Sequence, residues 1–300
     1  MIICITGGSG FVGTQMTKHF IAQGHRVVVF DIMPPKVTHE HVSFFKINLM
    51  NDEIPDVLKT CDAVVHLSGV SIFNRWTTAY KKEIYDSRII STRKLVDFFK
   101  EHRQVTQKPL VFVCASAVGF YGDGGEEILD ESKKPGDDFL AQVCTDWEAE
   151  AQKATTFGVR VVSIRTGIVL GVGGGMLAKL VPIFRLGLGG RFGTGKQWFS
   201  WIHMNDLIKV YESAVLDERL SGAVNVVAQE PVRNSELVQS LAHAVHRPAY
   251  FILPKWLLKI ILGEFAGAVL MSQRVTPQKL SSIEFEYTYP TLQSALVDIV

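Results

Sequence analysis

The 300-residue sequence has few cysteines, no excess of charge of one sign and no long uninterrupted apolar run. Its four cysteines form no C-x-x-C pair, so we expect free thiols in a reducing cytoplasm and no structural zinc or other metal site. A formal net charge of +1 without a basic block leaves no electrostatic footprint for nucleic acid. These shortages argue against disulfide-rich, zinc-binding and nucleic-acid-binding classes.

The sequence also offers no membrane span. The nearest candidate, residues 256–271, is interrupted by Lys259, Gly263 and Glu264 and falls short of the roughly 18 apolar residues that a span needs. We interpret it as an amphipathic helix that faces a core rather than as a membrane attachment. Because an apolar strand begins at residue 2, we also expect no signal peptide.

What the chain does contain at its start is a glycine-rich turn between a strand and a helix. Glycines follow the strand-like run 2–6 and lead into the helical stretch 11–23, at Gly7, Gly8, Gly10 and Gly13. Both G-x-G-x-x-G and G-x-x-G-x-x-G spacings fit. Glycine allows main-chain amides to approach a pyrophosphate, and the helix N-terminus favours the anion. Asp31 ends the next strand, where a carboxylate holds an adenosine ribose in dinucleotide sites.

Apolar content of 47% against 20% charged residues supports a substantial core in one large or two modest domains. Continuous apolar runs are typical of strands buried on both faces of a parallel sheet, and helical stretches separate them. The runs are 1–6, 26–30, 63–67, 110–115 and 159–165; the helical stretches are 11–23, 80–102 and 138–156. This alternation predicts a Rossmann-type, doubly wound α/β fold.

The texture of the sequence changes after Gly167. Nine glycines fall within residues 171–195, which is typical of loops. We expect a nucleotide-binding domain over 1–170 and a smaller substrate lobe over 171–300. A strand-like run at 223–228 rejoins the sheet, so the two parts interleave, and the next helix begins near residues 231–236 with Asn234 or Ser235 as its cap.

Several segments resemble the extended short-chain dehydrogenase/reductase superfamily along the whole chain. They are residues 6–13 (TGGSGFVG), 62–69 (DAVVHLSG) and 201–206 (WIHMND). Residues 139–148 (FLAQVCTDWE) and 184–190 (FRLGLGG) resemble more narrowly the atypical subgroup named epimerase family proteins. The resemblance implies a nicotinamide dinucleotide, NAD or NADP, and a small-molecule substrate, and it leaves self-association open.

The resemblance also implies roles for individual residues. Those near the pyrophosphate are Gly7, Gly10, Phe11, Val12 and Gly13; Asp31 would hold the ribose, Asn48 the adenine edge, Leu67, Ser68 and Gly69 the far side of the cofactor, and Ser116 the nicotinamide. Asp31 would repel a 2′-phosphate and favours NAD. Many relatives in the subgroup carry a basic residue there and are built for NADP, so both cofactors stay open.

The chain departs from the superfamily at its acid–base pair. A Tyr-x-x-x-Lys pair normally occupies the helix after the fifth strand, where the phenol exchanges a proton with the substrate. Residues 139–150 contain neither tyrosine nor lysine; Leu140 stands at the tyrosine position and Cys144 at the lysine position. The supporting asparagine of the preceding helix is replaced by Arg88 when Thr92 marks the register.

Several residues are candidates to replace that pair. Tyr121, the tyrosine nearest the fifth strand, could be the proton donor. Arg88 and Arg165 could clamp an anionic substrate group or a cofactor phosphate. His203 could be oriented by Asp206, and Trp198 and Trp201 could form an aromatic wall for a flat ligand. Alternatives stay open: Tyr121 could only line the cleft, and Arg165 could form a structural salt bridge. Asp206 could cap the following helix while His203 fixes the turn, and Trp198 and Trp201 could belong to the core. We interpret Cys144 as an inert buried thiol.

Two functions follow. The first is an atypical NAD(P)-dependent oxidoreductase or epimerase with Ser116 and Tyr121 at the reacting atoms and with Arg165, Trp201 and His203 near the substrate. The second is a catalytically silent protein that senses NAD(P) and signals to a partner. Loss of acid–base catalysis, which contributes about 10²–10⁴-fold, makes the second function credible.

Overall fold

The computed structural model describes residues 1–102 and 110–300. Its strands are β1 (Ile2–Thr6), β2 (Arg26–Asp31), β3 (Val42–Lys46), β4 (Ala63–His66), β5 (Val111–Ala117), β6 (Ile128–Leu129), β7 (Arg160–Thr166), β8 (Ile168–Leu170), β9 (Gly190–Phe192), β10 (Trp198–Phe199), β11 (Trp201–His203), β12 (Gly222–Val226), β13 (Val232–Arg233), β14 (Phe251–Leu253) and β15 (Arg274–Val275). Its α-helices are α1 (Phe11–Ala22), α2 (Thr78–His102), α3 (Phe139–Gln152), α4 (Leu177–Arg185), α5 (Met204–Leu216), α6 (Asn234–Ala244), α7 (Lys255–Leu262), α8 (Phe265–Leu270), α9 (Gln278–Ser282) and α10 (Leu292–Ile299).

Seven strands form one parallel sheet in the order β12-β7-β5-β4-β1-β2-β3. The order reverses between β1 and β4, and ligands of doubly wound sheets bind at the carboxyl ends of the strands at such a point. The run at 223–228 predicted to rejoin the sheet is β12, at its edge. This architecture confirms the predicted Rossmann-type fold class.

Helices cover both faces of the sheet. On one face, α1 contributes Met16 and Phe20 and α5 contributes Tyr211 to a core shared with the strands. On the other face, Phe99 of α2 and Trp147 of α3 pack against the same strands. Because the strands are buried on both sides, their apolar runs are continuous rather than alternating.

A smaller core lies beyond the sheet, where α4, α6 and α10 pack together through Phe184, Leu241 and Leu296. The loop that leads into α4 approaches the start of α1. A Cβ added at Gly174 would lie 2.1 Å from Cδ2 of Phe11, so only glycine permits this contact. The glycine-rich segment therefore packs on the first helix of the sheet.

One strand was not predicted, and two local predictions differ from the structure. Strand β3 was not predicted, because its residues are only half-buried at the sheet edge and lack a continuous apolar run. The N-cap of α6 is Arg233, because the side chain of Asn234 instead accepts a hydrogen bond from the Phe192 amide. The stretch 256–271 divides at Gly263 into two helices, α7 and α8, rather than one. It is amphipathic as predicted, since Leu258, Phe265 and Ala266 are buried while Trp256 and Ile260 are exposed.

In the two described ranges, none of the helices has both the length and the apolar character needed to cross a bilayer.

Candidate active site

The glycine turn after β1 has the geometry that close backbone approach requires. Gly7 has φ of +72° and donates its amide hydrogen to the carbonyl of Phe30, which ties the turn to β2. A Cβ at Gly13 would lie 2.3 Å from the carbonyl oxygen of Gly7. Helix α1 begins directly afterwards at Phe11, and no side chain of the described residues caps it. Its first amides and its dipole therefore face the turn, an arrangement suited to an anion.

Asp31 lies beside this turn at the end of β2. Its carboxylate accepts hydrogen bonds from the Ser9 amide at 2.9 Å and from the Met33 amide at 3.0 Å. Ser9 in turn donates its hydroxyl to the Met33 carbonyl. These bonds fix the orientation of the carboxylate, and each oxygen retains a lone pair that can accept a further hydrogen bond.

The other predicted cofactor residues lie around the same sheet edge. Asn48 follows β3, where its side-chain oxygen accepts from the Met50 amide. Leu67, Ser68 and Gly69 follow β4, and a Cβ at Gly7 would lie 3.0 Å from the Ser68 nitrogen. The turn after β1 and the segment after β4 are therefore in close contact.

Ser116 lies near the carboxyl end of β5 and is buried. Its hydroxyl donates to Oε1 of Glu148 on α3 at 2.6 Å. The same carboxylate is held by Arg165 through two parallel hydrogen bonds, from Nε and from Nη2, each of 2.8 Å. Because the hydroxyl hydrogen is committed to Glu148, Ser116 can accept a hydrogen bond from a ligand but does not offer a proton.

Arg165 is thus an internal residue rather than a substrate clamp. The guanidinium is buried in a bidentate pair with Glu148 and lies 3.4 Å from the centroid of the Phe120 ring. Burial alone would lower the pKa of Arg165, but the Glu148 carboxylate reverses this effect and raises it. The sequence-based assignment of Arg165 to the substrate is corrected on this geometry.

Tyr121 is also bound internally. Its hydroxyl donates to Oδ1 of Asn225 at 2.7 Å and accepts from Nη1 of Arg165 at 3.0 Å. Burial raises the pKa of the phenol. A buried phenol with both roles occupied has no free proton for a substrate, so its assignment as proton donor is corrected.

The face of α3 that carries Leu140 and Cys144 is apolar. Leu140 and Cys144 lie one turn apart on α3 and both face Gly119, where an added Cβ would be 3.3 Å from Cβ of Leu140 and 3.9 Å from Sγ of Cys144. Burial raises the pKa of Cys144 to about 12, so the thiol is neutral and unreactive at physiological pH.

Arg88, on α2, lies next to this face. Its Nη1 donates to the carbonyls of Val70 and Ile84, and its guanidinium lies 5.2 Å from the centroid of the Trp147 ring. A Cβ on Gly69 would lie 3.1 Å from Cζ of Arg88. Arg88 therefore sits between the segment after β4 and helix α3.

Two further assignments are corrected. Trp201 is buried in the core of the smaller lobe and cannot form an aromatic wall. His203 is buried and caps α5, because its Nδ1 accepts from the Asn205 amide, while its Nε2 lies 3.3 Å from Asp298. Asp206 neither orients His203 nor caps α5; its carboxylate accepts from the amides of Thr288 and Tyr289.

Sequence reasoning missed two contributions. Glu148 served only as a register marker, although it joins Ser116 to Arg165. The packing of Gly174 on Phe11 was also missed. A glutamate on a helix face and an arginine at a strand end were the signal for the contact of Glu148. The dense run of glycines after Gly171 was the signal for the packing of Gly174.

Comparison with known proteins agrees with this geometry. Residues 3–226 match the model of the NAD dependent epimerase/dehydratase family, and residues 253–299 match a domain of unknown function, DUF1731. The chain belongs to the NAD dependent epimerase/dehydratase family. This assignment confirms the resemblance found in the sequence and the predicted cofactor class, NAD or NADP.

Curated relatives match the chain over nearly its full length. It is 37% identical over 299 residues to an Arabidopsis thaliana protein named epimerase family protein SDR39U1 homolog, chloroplastic. The match covers 99% of this chain and 86% of that protein. It is 33% identical over 301 residues to the epimerase family protein YfhF of Bacillus subtilis, covering 100% of this chain and 98% of that protein.

Solved structures show the same fold. Human epimerase family protein SDR39U1 (isoform 2), solved with NADPH, superposes with a TM-score of 0.87 at 32% identity and covers 100% of this chain and 99% of that one. A Thermus thermophilus UDP-glucose 4-epimerase solved with NAD has a TM-score of 0.78 at 19% identity, with 99% and 97% coverage. The second likeness concerns the fold alone.

Proposed function

We propose that this protein is an atypical NAD(P)-dependent oxidoreductase or epimerase that lacks the usual Tyr-x-x-x-Lys pair. The observation that carries the proposal is the glycine turn after β1, in which a side chain at Gly7 or Gly13 would clash with backbone. This turn leads into the N-terminus of α1 and lies beside the oriented carboxylate of Asp31. The human relative solved with NADPH supports the same cofactor class.

In this proposal the amides at Gly10, Phe11, Val12 and Gly13 bind the pyrophosphate. Asp31 accepts hydrogen bonds from the adenosine ribose, and Asn48 lies at the adenine. Leu67, Ser68 and Gly69 form the opposite wall. The carboxylate of Asp31 is already oriented for this role, because two backbone amides hold it.

A bound nicotinamide would accept or supply a hydride. Ser116 would accept a hydrogen bond from the cofactor or from a substrate hydroxyl, and Glu148 and Arg165 would hold Ser116 in place. Since Leu140 and Cys144 cannot exchange protons, the substrate proton would pass to or from water. The substrate lobe of residues 171–300 would exclude bulk solvent, with Gly174 packed on Phe11.

The test is a calorimetric titration with NAD, NADH, NADP and NADPH. We expect tight binding, with NAD preferred over NADP because Asp31 repels a 2′-phosphate. Asp31→Ala should weaken NAD binding by about 10- to 100-fold, the value of a hydrogen bond to a charged group. Asp56→Ala, at an exposed carboxylate that pairs with Lys59, serves as the matched control and should change nothing.

Failure of all four dinucleotides to bind the folded protein would overturn the proposal. Tighter binding of NADP than of NAD would overturn the preference while leaving the function intact.

The alternative is a catalytically silent NAD(P) sensor. The internal hydrogen bonds of the Tyr121 hydroxyl favour it, because they remove the tyrosine nearest to the fifth strand from catalysis. Nicotinamide absorbance with a panel of sugars, ketones and enones separates the two. Turnover supports the oxidoreductase; tight cofactor binding without any turnover supports the sensor.

A further inference from the structure

Arg88 is a half-buried arginine that leaves most of its hydrogen-bonding capacity unused. Its two protein hydrogen bonds, to the carbonyls of Val70 at 3.1 Å and Ile84 at 3.0 Å, both come from Nη1. Within residues 1–102 and 110–300, no carboxylate pairs with it, and Nε and Nη2 have no protein acceptor. Burial lowers the pKa of Arg88.

The unused edge has a defined shape. Nε and Nη2 lie on the same side of a guanidinium and form the fork that matches the two oxygens of a carboxylate. Arg165 holds Glu148 through this same pair of nitrogens, with both distances 2.8 Å. In Arg88 the corresponding edge, formed by Nε and Nη2, is therefore free.

The surroundings of Arg88 are largely apolar. Tyr80, Ile84 and Arg88 follow one another at four-residue spacing on one face of α2. Ile84 packs in a cluster with Trp76 and Phe265, which Tyr80, Phe139 and Leu140 join. This cluster joins α2 and α3 to helix α8.

Other charges near this cluster are already neutralised or exposed. Lys81 pairs with Glu264 at 2.7 Å, and Glu148 pairs with Arg165. Arg75 and Lys179 are exposed, so solvent and salt screen their charges. Arg88 is thus a partly buried cation beside an apolar wall, and a charge in such a place is costly without a partner.

We propose that Arg88 binds the carboxylate of a small acid with an apolar or aromatic body, and that this acid rather than a nucleotide sugar is the substrate class. The inference rests on the proposed function, because the cofactor would lie along Leu67–Gly69, against which Arg88 packs. One guanidinium edge matches one monoanionic carboxylate. A nucleoside diphosphate would bring two negative charges and a sugar to an apolar wall.

The experiment uses the full-length protein saturated with the dinucleotide that it binds most tightly. Fluorescence of the reduced cofactor and calorimetry follow titration with a panel of aromatic and branched aliphatic carboxylates, among them 3-phenylpropanoate, each paired with its amide. UDP-glucose is titrated in parallel. We expect at least one carboxylate to bind about tenfold or more tightly than its amide, because the amide cannot form the charge-assisted pair.

Variants assign that difference to Arg88. Arg88→Gln should abolish the preference for carboxylate over amide and leave cofactor affinity within about threefold, whereas Arg88→Lys should retain part of the preference because it keeps charge without the fork. Arg93→Gln is the matched control, since Arg93 is on the same helix but is half-exposed and pairs with Glu150. It should bind carboxylates like the wild type.

Three results would overturn the inference. These are equal binding of every acid and its amide, unchanged preference in Arg88→Gln, and tighter binding of UDP-glucose than of the acids. A selective loss of cofactor affinity in Arg88→Gln would also overturn it and would assign Arg88 to the cofactor. Failure of the wild type to bind any dinucleotide would instead contradict the proposed function.

Discussion

Arg165, which is buried, and Arg88, which is half-buried, illustrate two uses of a guanidinium. Arg165 is satisfied by Glu148, Tyr121 and the face of Phe120. Arg88 is bound only by two carbonyls through one nitrogen. Both lie near the carboxyl end of the sheet, and both were candidates for binding an anion.

The position of a cation near the end of the sheet does not define its role, because a cation that already pairs with an internal carboxylate is not available to a ligand. A buried cation that pairs with a carboxylate of the protein contributes to the fold, because breaking the pair would leave a charge buried alone. A cation with a free edge remains available to a ligand. Measurements of stability can separate the two.

The largest effect is expected from Arg165→Met. It leaves the buried carboxylate of Glu148 without its partner, so the free energy of unfolding should fall by about 3–5 kcal/mol. Equilibrium denaturation in urea measures this loss. Arg93→Gln, which removes a half-exposed ion pair with Glu150, should cost less than about 1 kcal/mol.

The double variant Glu148→Leu with Arg165→Met sharpens the result. It removes both charges, so it should be more stable than Arg165→Met alone. If the double variant loses as much stability as Arg165→Met and Glu148→Leu lose together, the two residues do not interact, and the contrast with Arg88 would be contradicted.

A second effect concerns His66, which lies in the buried layer beneath Arg88. Its Nδ1 contacts the Thr6 hydroxyl at 2.6 Å and its Nε2 contacts the Thr92 hydroxyl at 3.1 Å. Burial, aided by the charge of Arg88, lowers the pKa of His66 to about 3. The folded protein therefore keeps this imidazole neutral in mild acid.

The sign of the pH dependence follows from this shift. Above pH ~6.5 the imidazole is neutral in both states. Below that value only the unfolded chain takes up the proton, so the free energy of unfolding should fall by about 1.4 kcal/mol per pH unit until the folded pKa is reached. His66→Gln should remove this share of the slope between pH 6 and 4 in urea titrations. An unchanged slope would mean that His66 is charged in the folded protein.

The smallest effect is expected from Arg88→Met. Because no carboxylate depends on Arg88 and its replacement removes a desolvated charge, the free energy of unfolding should change by less than about 1 kcal/mol in either direction. Thermal and urea unfolding measure it beside Arg165→Met. A loss comparable to that of Arg165→Met would show that Arg88 is structural and would remove the basis of the comparison.

Much of the fold could be predicted because the signals are local. Strands that are buried on both faces have continuous apolar runs, which can be recognised within a few residues. This applies to β1, β2, β4, β5, β7 and β12. Edge strand β3 lacks that signal. The two short helices α7 and α8 were merged because Gly263, whose φ is +62°, was weighed as an interruption rather than as a helix end.

The candidate site was predictable only in part. The glycine turn and Asp31 form a pattern whose spacing follows from backbone geometry, so those residues were identifiable. Tyr121 and Arg165 were not, because a sequence does not state which donor meets which acceptor across 44 residues. His203 and Trp201 were misassigned for the same reason: their burial depends on α10 and on the smaller core.

The order of most strands and helices, the glycine turn and the absence of tyrosine and lysine from residues 139–150 can be read from the sequence, because each depends on residue types at short spacing. The packing of the chain pairs Glu148 with Arg165, bonds Tyr121 to Asn225 and leaves one edge of Arg88 without a protein acceptor among the described residues. These outcomes depend on which distant side chains the packed sheet and helices bring within hydrogen-bond distance, and short-range sequence patterns do not encode that pairing.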